Sequence, residues 1–334
     1  MKVLFNAKTF DSKHEIKELV KERYRQVILH VCDALKDSLD LSLLNSIIIP
    51  DDYKTELFEF QRNNGHKESL TENEYARGFA QVVSSQSHNN DVVYNVIIDK
   101  AIIQALLCDD ALSNIKNSID EAKYKELIHE RTFAINTLCH ELAHVYAYNL
   151  KKNITWLEQD YEDSDLKSLY SSLALSCWDE YFASRIVSAT YAWASESIYE
   201  LKRTCNSAEE MLNEKRREYN HRNISLTDFA IEFHKYTDVL LKNISYLHGN
   251  LFCLTESREH MVCCIDENLD GTYIKSIWID FGQVMDTLFK DYPNWKNESV
   301  LHDLTLLIEK YYNQFDIYLS QKYEGIYYDI PVKL

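Results

Sequence analysis

Only six glycines and three prolines interrupt 334 residues. These two residue types are the usual breakers of regular structure, so their scarcity leaves the chain few places to turn sharply. A sequence like this has to be built mostly from long helices. Hydrophobic residues make up 46% and charged residues 27%. Those are ordinary proportions for a globular chain, and the length is enough to bury a sizeable core.

Periodicity places the elements. Residues 13–37 carry Ile16, Leu19, Val20, Val27, Ile28, Val31 and Leu35 on one helical face. The next stretch changes character: 46–50, 55–60, 75–83 and 91–99 are short β-rich runs between polar, turn-prone segments. They predict a small sheet of three or four strands, with Asp99 ending the last and capping a short helix, KAIIQALL. From Ser118 onward the pattern is helical. Helices are expected over 118–149, 164–194, 196–220, 226–247, 282–291 and 297–322, with a possible strand at 272–280. The expected class is α+β, predominantly helical, with a small N-terminal sheet packed on a long helix and a helical C-terminal half. No Pro/Gly/Ser linker marks a boundary, so the division into 1–194 and 195–334 follows the change from mixed to helical pattern.

The net charge of −17 speaks against nucleic acid and anionic membranes, which both need Lys and Arg to meet phosphate. No apolar run is long enough to span a bilayer, and the N-terminus lacks the apolar core of a signal peptide. The eight cysteines include no CxxC pair and lie mostly in helical patterns. Reduced thiols in a cytoplasmic protein are therefore expected.

The segment TLCHELAHVYAY, 137–148, sets His140 and His144 four residues apart with Glu141 after the first. On a helix, positions i and i+4 share a face, so both imidazoles can reach one metal ion. Glu141 is turned about 100° away. It can address a water beside the metal instead of competing for coordination. This is the physical content of H-E-x-x-H, two neutral imidazole ligands and a general base. A catalytic zinc takes a third protein ligand. The residues Ala147 and Leu150 exclude the metzincin extension, so the third ligand has to come from a later helix. In SCWDEYFASR, Glu180 lies on a stripe with Leu173, Cys177, Ser184 and Val187. A carboxylate on an apolar stripe is costly unless it is paired or bound to metal. The alternatives are Asp179 as the ligand, or Glu180 in a plain ion pair with Arg185 or another helix.

A sheet, an HExxH helix and a later helix bearing Glu together resemble the zincin metallopeptidases of the gluzincin type. HELAH with a later E-x-x-A is also similar to the small ImmA/IrrE-like peptidase domains. The likeness covers roughly 75–190. It implies a zincin-like fold, Zn²⁺ held by His140, His144 and Glu180, and Glu141 as the base. Four residues after Glu180 the thermolysin-like pattern has Asp, and this chain has Ser184. The likeness also implies an edge strand that pairs with extended peptide, for which 75–83 or 91–99 qualifies unless both are interior. Tyr181, Arg185, His248 and His260 are oxyanion-donor candidates by residue type alone.

Other patterns point elsewhere. DENLDG at 266–271 opens like a calcium loop, but position 12 is Ile277 instead of Glu, so an ordinary turn is expected. Neither a Walker A nor a GxGxxG motif is present. Cys263–Cys264 and the C-terminal aromatics read as packing. The expected function is a zinc-dependent peptidase acting on a protein or peptide. The competing expectation is a metal-binding regulatory protein without turnover.

Overall fold

The computed structural model describes residues 1–6, 14–70, 78–87, 89–106, 109–116, 118–152, 154–158, 165–188, 196–323 and 325–331. The chain is mostly helical with a small mixed sheet near its N-terminus. It divides into two compact units, Met1–Asn149 and Leu150–Leu334. No helix among the described residues is long and apolar enough to cross a membrane.

The first unit is built on a four-stranded sheet of β1 (Lys2–Phe5), β2 (Leu44–Ile49), β3 (Ala80–Gln86) and β4 (Val92–Ile98), in the order β1-β2-β4-β3. β1, β2 and β4 run parallel, and β3 pairs antiparallel with β4 from Ala80↔Ile98 to Gln86↔Val92. Alternation along a strand sends side chains to opposite faces. On one face Ile47, Ile49, Val96 and Ile98 meet α1 (His14–Leu35), α3 (Lys100–Ala105) and α5 (Glu121–Lys151). From α5 come Ala134, Leu138, Leu142 and Val145. On the other face Ile48, Ile97 and Val83 cover Tyr53 and Leu57 of α2 (Tyr53–Asn63). Each such side chain, fully buried, contributes roughly 1.5–3 kcal/mol. A short helix, α4 (Asp109–Ile115), precedes α5.

The run 55–60 is not a strand but the middle of α2. Asp52 caps that helix by accepting the Thr55 N–H at 2.9 Å, and Tyr53, Leu57 and Gln61 give it a buried face with a spacing of four. Residues Lys2–Phe5, to which the sequence pattern assigns no element, form β1. The run at 75–83 appears as β3 from Ala80 onward, with 75–77 outside the described residues. Asp99 ends β4 and caps α3 through the Ala101 N–H at 2.9 Å, as its position predicts.

The second unit contains α6 (Leu166–Val187), α7 (Glu196–Asn220), α8 (Leu226–Asn250), α9 (Arg258–Asn268), α10 (Trp278–Asp291) and α11 (His302–Gln314). A hairpin follows, β5 (Tyr318–Lys322) and β6 (Gly325–Asp329). The run expected as a strand at 272–280 is instead a 3₁₀ turn, Ile274–Ser276, leading into α10. Its buried residues, Ile274, Ile277, Trp278 and Phe281, recur every three or four positions, which is a helical period. The hairpin replaces the end of the helix expected over 297–322. His234 of α8 fastens it, with Nδ1 at 2.6 Å from the Tyr312 hydroxyl and Nε2 at 2.6 Å from the Tyr328 hydroxyl of β6. Burial pushes this imidazole down to about 4, so the neutral ring offers one donor and one acceptor to the two phenols.

Helices α6 and α8 pack through Gly249. A Cβ at that position would lie 2.6 Å from the Tyr181 carbonyl oxygen, 2.7 Å from Ser184 Cβ and 2.9 Å from the Arg185 nitrogen. Two of these neighbours are backbone atoms, so relief requires the helices to separate. Gly249→Ala is expected to destabilise the protein by about 1–3 kcal/mol, read as a lower urea midpoint at unchanged slope. An unchanged midpoint would show that the helix contact gives way without cost.

Glu209 of α7 reaches the 3₁₀ turn and accepts the N–H groups of Tyr273 at 2.9 Å and Ile274 at 3.1 Å. Burial pushes its carboxyl up to about 7 despite these bonds. Its folded value lies above the ordinary glutamate value of 4.5, so between those limits the unfolded chain has already released the proton that the folded chain keeps. Stability is therefore expected to fall as pH rises from 4.5 to 7. Melting temperature against pH should show this slope in the wild type and lose it in Glu209→Gln.

Candidate metal centre

Between Leu138 and Val145 every residue of α5 is buried. A helix segment apolar all round sits in a core, so three polar side chains inside it need partners of their own. His140 is 9%, Glu141 9% and His144 8% exposed. The two imidazoles face each other with Nε2 atoms 3.0 Å apart, ring centroids 4.7 Å apart and planes at 86°. Two imidazole nitrogens bound to one tetrahedral zinc stand about 3.3 Å apart. The pair is therefore close to the spacing that a shared ion requires. A stack steadies one ring: His144 lies over Tyr148 at 6.2 Å and Tyr148 over Tyr94 of β4 at 4.9 Å.

Tyr53 is a neighbour that sequence reasoning missed. Burial pushes its phenol well up, and the Glu141 and Asp99 carboxylates add to the shift, so its ring stands within electrostatic reach of Glu141. Its buried hydroxyl has no hydrogen-bond partner among the described residues. Tyr53 is almost ninety residues from Glu141 and carries no motif, so only folding brings them together.

On α6, the neighbours of Glu180 include the apolar stripe and a lysine. Burial works against the Lys242 ammonium, but Asp238 at 2.8 Å and the Glu180 carboxylate outweigh it and hold its pKa above the ordinary value. The two residues named as alternatives have partners elsewhere. Asp179 pairs with Lys151. Arg185 pairs with Asp286 at 2.6 Å. Among the described residues, His140, His144 and Glu180 form a group that could hold a metal ion, each offering a ligand atom within 4.8 Å of the others. Two neutral imidazoles and one carboxylate are a donor set that suits zinc and leave a fourth position open.

The four oxyanion-donor candidates have engagements of their own. The Tyr181 hydroxyl donates to Asp286 at 2.6 Å, and Arg185 bonds the same carboxylate. His248 stacks on Trp278 at 3.8 Å and donates from Nε2 to the Trp278 carbonyl. His260 lies on α9 against Cys264. The calcium-like segment 266–271 forms the end of α9 and a turn through Gly271 at φ +90°.

No family model, no curated protein and no solved structure matches this chain. The class that the site suggests therefore rests on its own geometry.

Proposed function

We propose that the protein is a zinc-dependent hydrolase of peptide bonds, with His140, His144 and Glu180 as ligands and Glu141 as the general base, arranged as in the zincins. The observation that carries this reading is the grouping of the three ligand side chains within 4.8 Å, with a carboxylate one residue from the first histidine. Zinc, when bound, supplies Lewis-acid polarisation of a water and a carbonyl oxygen. Glu141 takes the proton of the attacking water and returns it to the leaving amine. Its burial at 9% exposure keeps competing solvent from the carboxylate. Of the two strands considered for pairing with an extended substrate, β4 lies inside the sheet and β3 lies at its edge. A peptide added by backbone hydrogen bonds would therefore align on β3.

Metal analysis of the purified, zinc-loaded protein tests the reading. His140→Ala is expected to hold about one zinc per chain fewer than the wild type, because a two-ligand remnant loses most of its affinity. Equal zinc content in the two proteins would overturn it. Stoichiometric zinc with no cleavage of any peptide in a library would instead support a metal-binding regulatory protein.

A further inference from the structure

Buried hydroxyls are almost always hydrogen-bonded, and one in the first unit is not. Tyr53 is 7% exposed, and its phenol oxygen has no hydrogen-bond partner among the described residues. Phenylalanine would fill the same space against Ile48, Leu57, Val83 and Ile97 without burying an unbonded hydroxyl. An oxygen kept there at a cost in stability calls for a use outside the packing.

Three elements meet around it. Tyr53 opens α2 just past the end of β2. Lys100, just past the end of β4, donates to the Asp51 carbonyl at 2.6 Å, so the carboxyl ends of these two parallel strands adjoin. Helix α5 runs back along β4. At one end Phe133 meets Phe79 with ring centroids 6.2 Å apart, and the Phe79 carbonyl accepts the Asp99 N–H at 2.7 Å. At the other end Tyr148 stacks on Tyr94 at 4.9 Å. Glu141 lies midway between these contacts, level with Val96 and Ile97, and Ile97 is a residue on which the Tyr53 ring packs. Glu141 and Asp99 are the charges that act on the phenol, and together with burial they hold its pKa well up. It therefore keeps its proton and has a bond to donate. Asp99 already accepts the Ala101 N–H as the cap of α3, at 2.9 Å, so Glu141 is the better-placed acceptor.

Resting on the hydrolase reading of the metal centre, we propose that Tyr53 is a positioning residue for Glu141: its hydroxyl donates to the Glu141 carboxylate, directly after a side-chain rotation or through one water, and fixes which carboxylate oxygen faces the attacking water. Tyr53 acts through the base and touches neither metal nor substrate.

Tyr53→Phe removes the oxygen alone. In urea unfolding of the metal-free protein its midpoint is expected to equal or exceed that of the wild type, because no bond within the fold is lost. Zinc content should stay the same. The kcat for peptide hydrolysis should fall about tenfold or more at unchanged KM, as for a misplaced group that acts only in the transition state. In a Glu141→Gln background the same substitution should have no further effect, because the two residues act as a unit. A lower midpoint, an unchanged kcat, a raised KM at unchanged kcat, or losses that multiply in the double variant would each overturn the proposal. A wild type that cleaves no peptide overturns the hydrolase reading and this role with it, whereas full activity in Tyr53→Phe overturns this role alone.

Discussion

Asp286→Ala is expected to cost about 3–5 kcal/mol, because it strips the counter-charge from two partly buried guanidinium groups. Arg258 grips the Asp286 carboxylate with two nitrogens, at 2.7 and 3.0 Å, and Arg185 adds a third bond at 2.6 Å. The Tyr181 hydroxyl donates a fourth, at 2.6 Å. Burial works to raise the Asp286 pKa, yet Arg258, Tyr181 and Arg185 outweigh it and hold the carboxyl below its ordinary value. The Arg185 side chain is only 9% exposed. It is sandwiched between Phe252 and Phe289, with ring centroids 3.9 and 3.8 Å away. After the substitution it cannot turn to water without leaving both rings. The cluster ties α6, α9 and α10 together, so the loss should appear in global denaturant unfolding and not as local fraying. Asp286→Asn keeps the shape without the charge and should fall between wild type and Ala. A loss below about 1 kcal/mol would class the cluster with ordinary surface ion pairs.

Glu141→Gln is expected to leave zinc content unchanged and to lower peptide hydrolysis by about 10²–10⁴-fold, the range for removal of a positioned general base. The amide keeps the size and the hydrogen-bonding shape of the carboxylate but cannot accept the proton of the attacking water. It is not among the proposed ligands, so the two histidines keep their hold on the metal. Metal analysis and cleavage of a peptide library by the same preparation separate the two effects. Hydrolysis within a few-fold of the wild type would remove Glu141 from its assigned role, and loss of zinc would make it a ligand.

The parts of this molecule that were legible from sequence are those governed by short-range geometry. His140 and His144 had to share a face because a helix returns to the same side in four residues, and the structure sets their Nε2 atoms 3.0 Å apart. Asp99 could be read as a cap because capping needs only a carboxylate and an N–H two residues on. Helix α7 matches its expected bounds because nothing in it breaks the pattern. The errors arose where a short apolar run fits two periods. TELFEF looks like a strand until Asp52 and the spacing of Tyr53, Leu57 and Gln61 are considered together. TYIKSIWID looks like one until Glu209, more than sixty residues earlier, is found binding the Tyr273 and Ile274 N–H groups.

What the amino-acid order determined by itself was a helix-rich chain carrying two imidazoles and a carboxylate poised one turn apart. Folding alone decided which distant groups meet. It gave Asp286 to Arg185 across a separation of 101 residues and brought the Tyr53 phenol within electrostatic reach of Glu141. It also engaged Asp179 with Lys151. Local rules act through the few bonds between near neighbours in the chain. Partners that far apart are chosen by how whole helices and strands pack, and no short window of sequence contains that information.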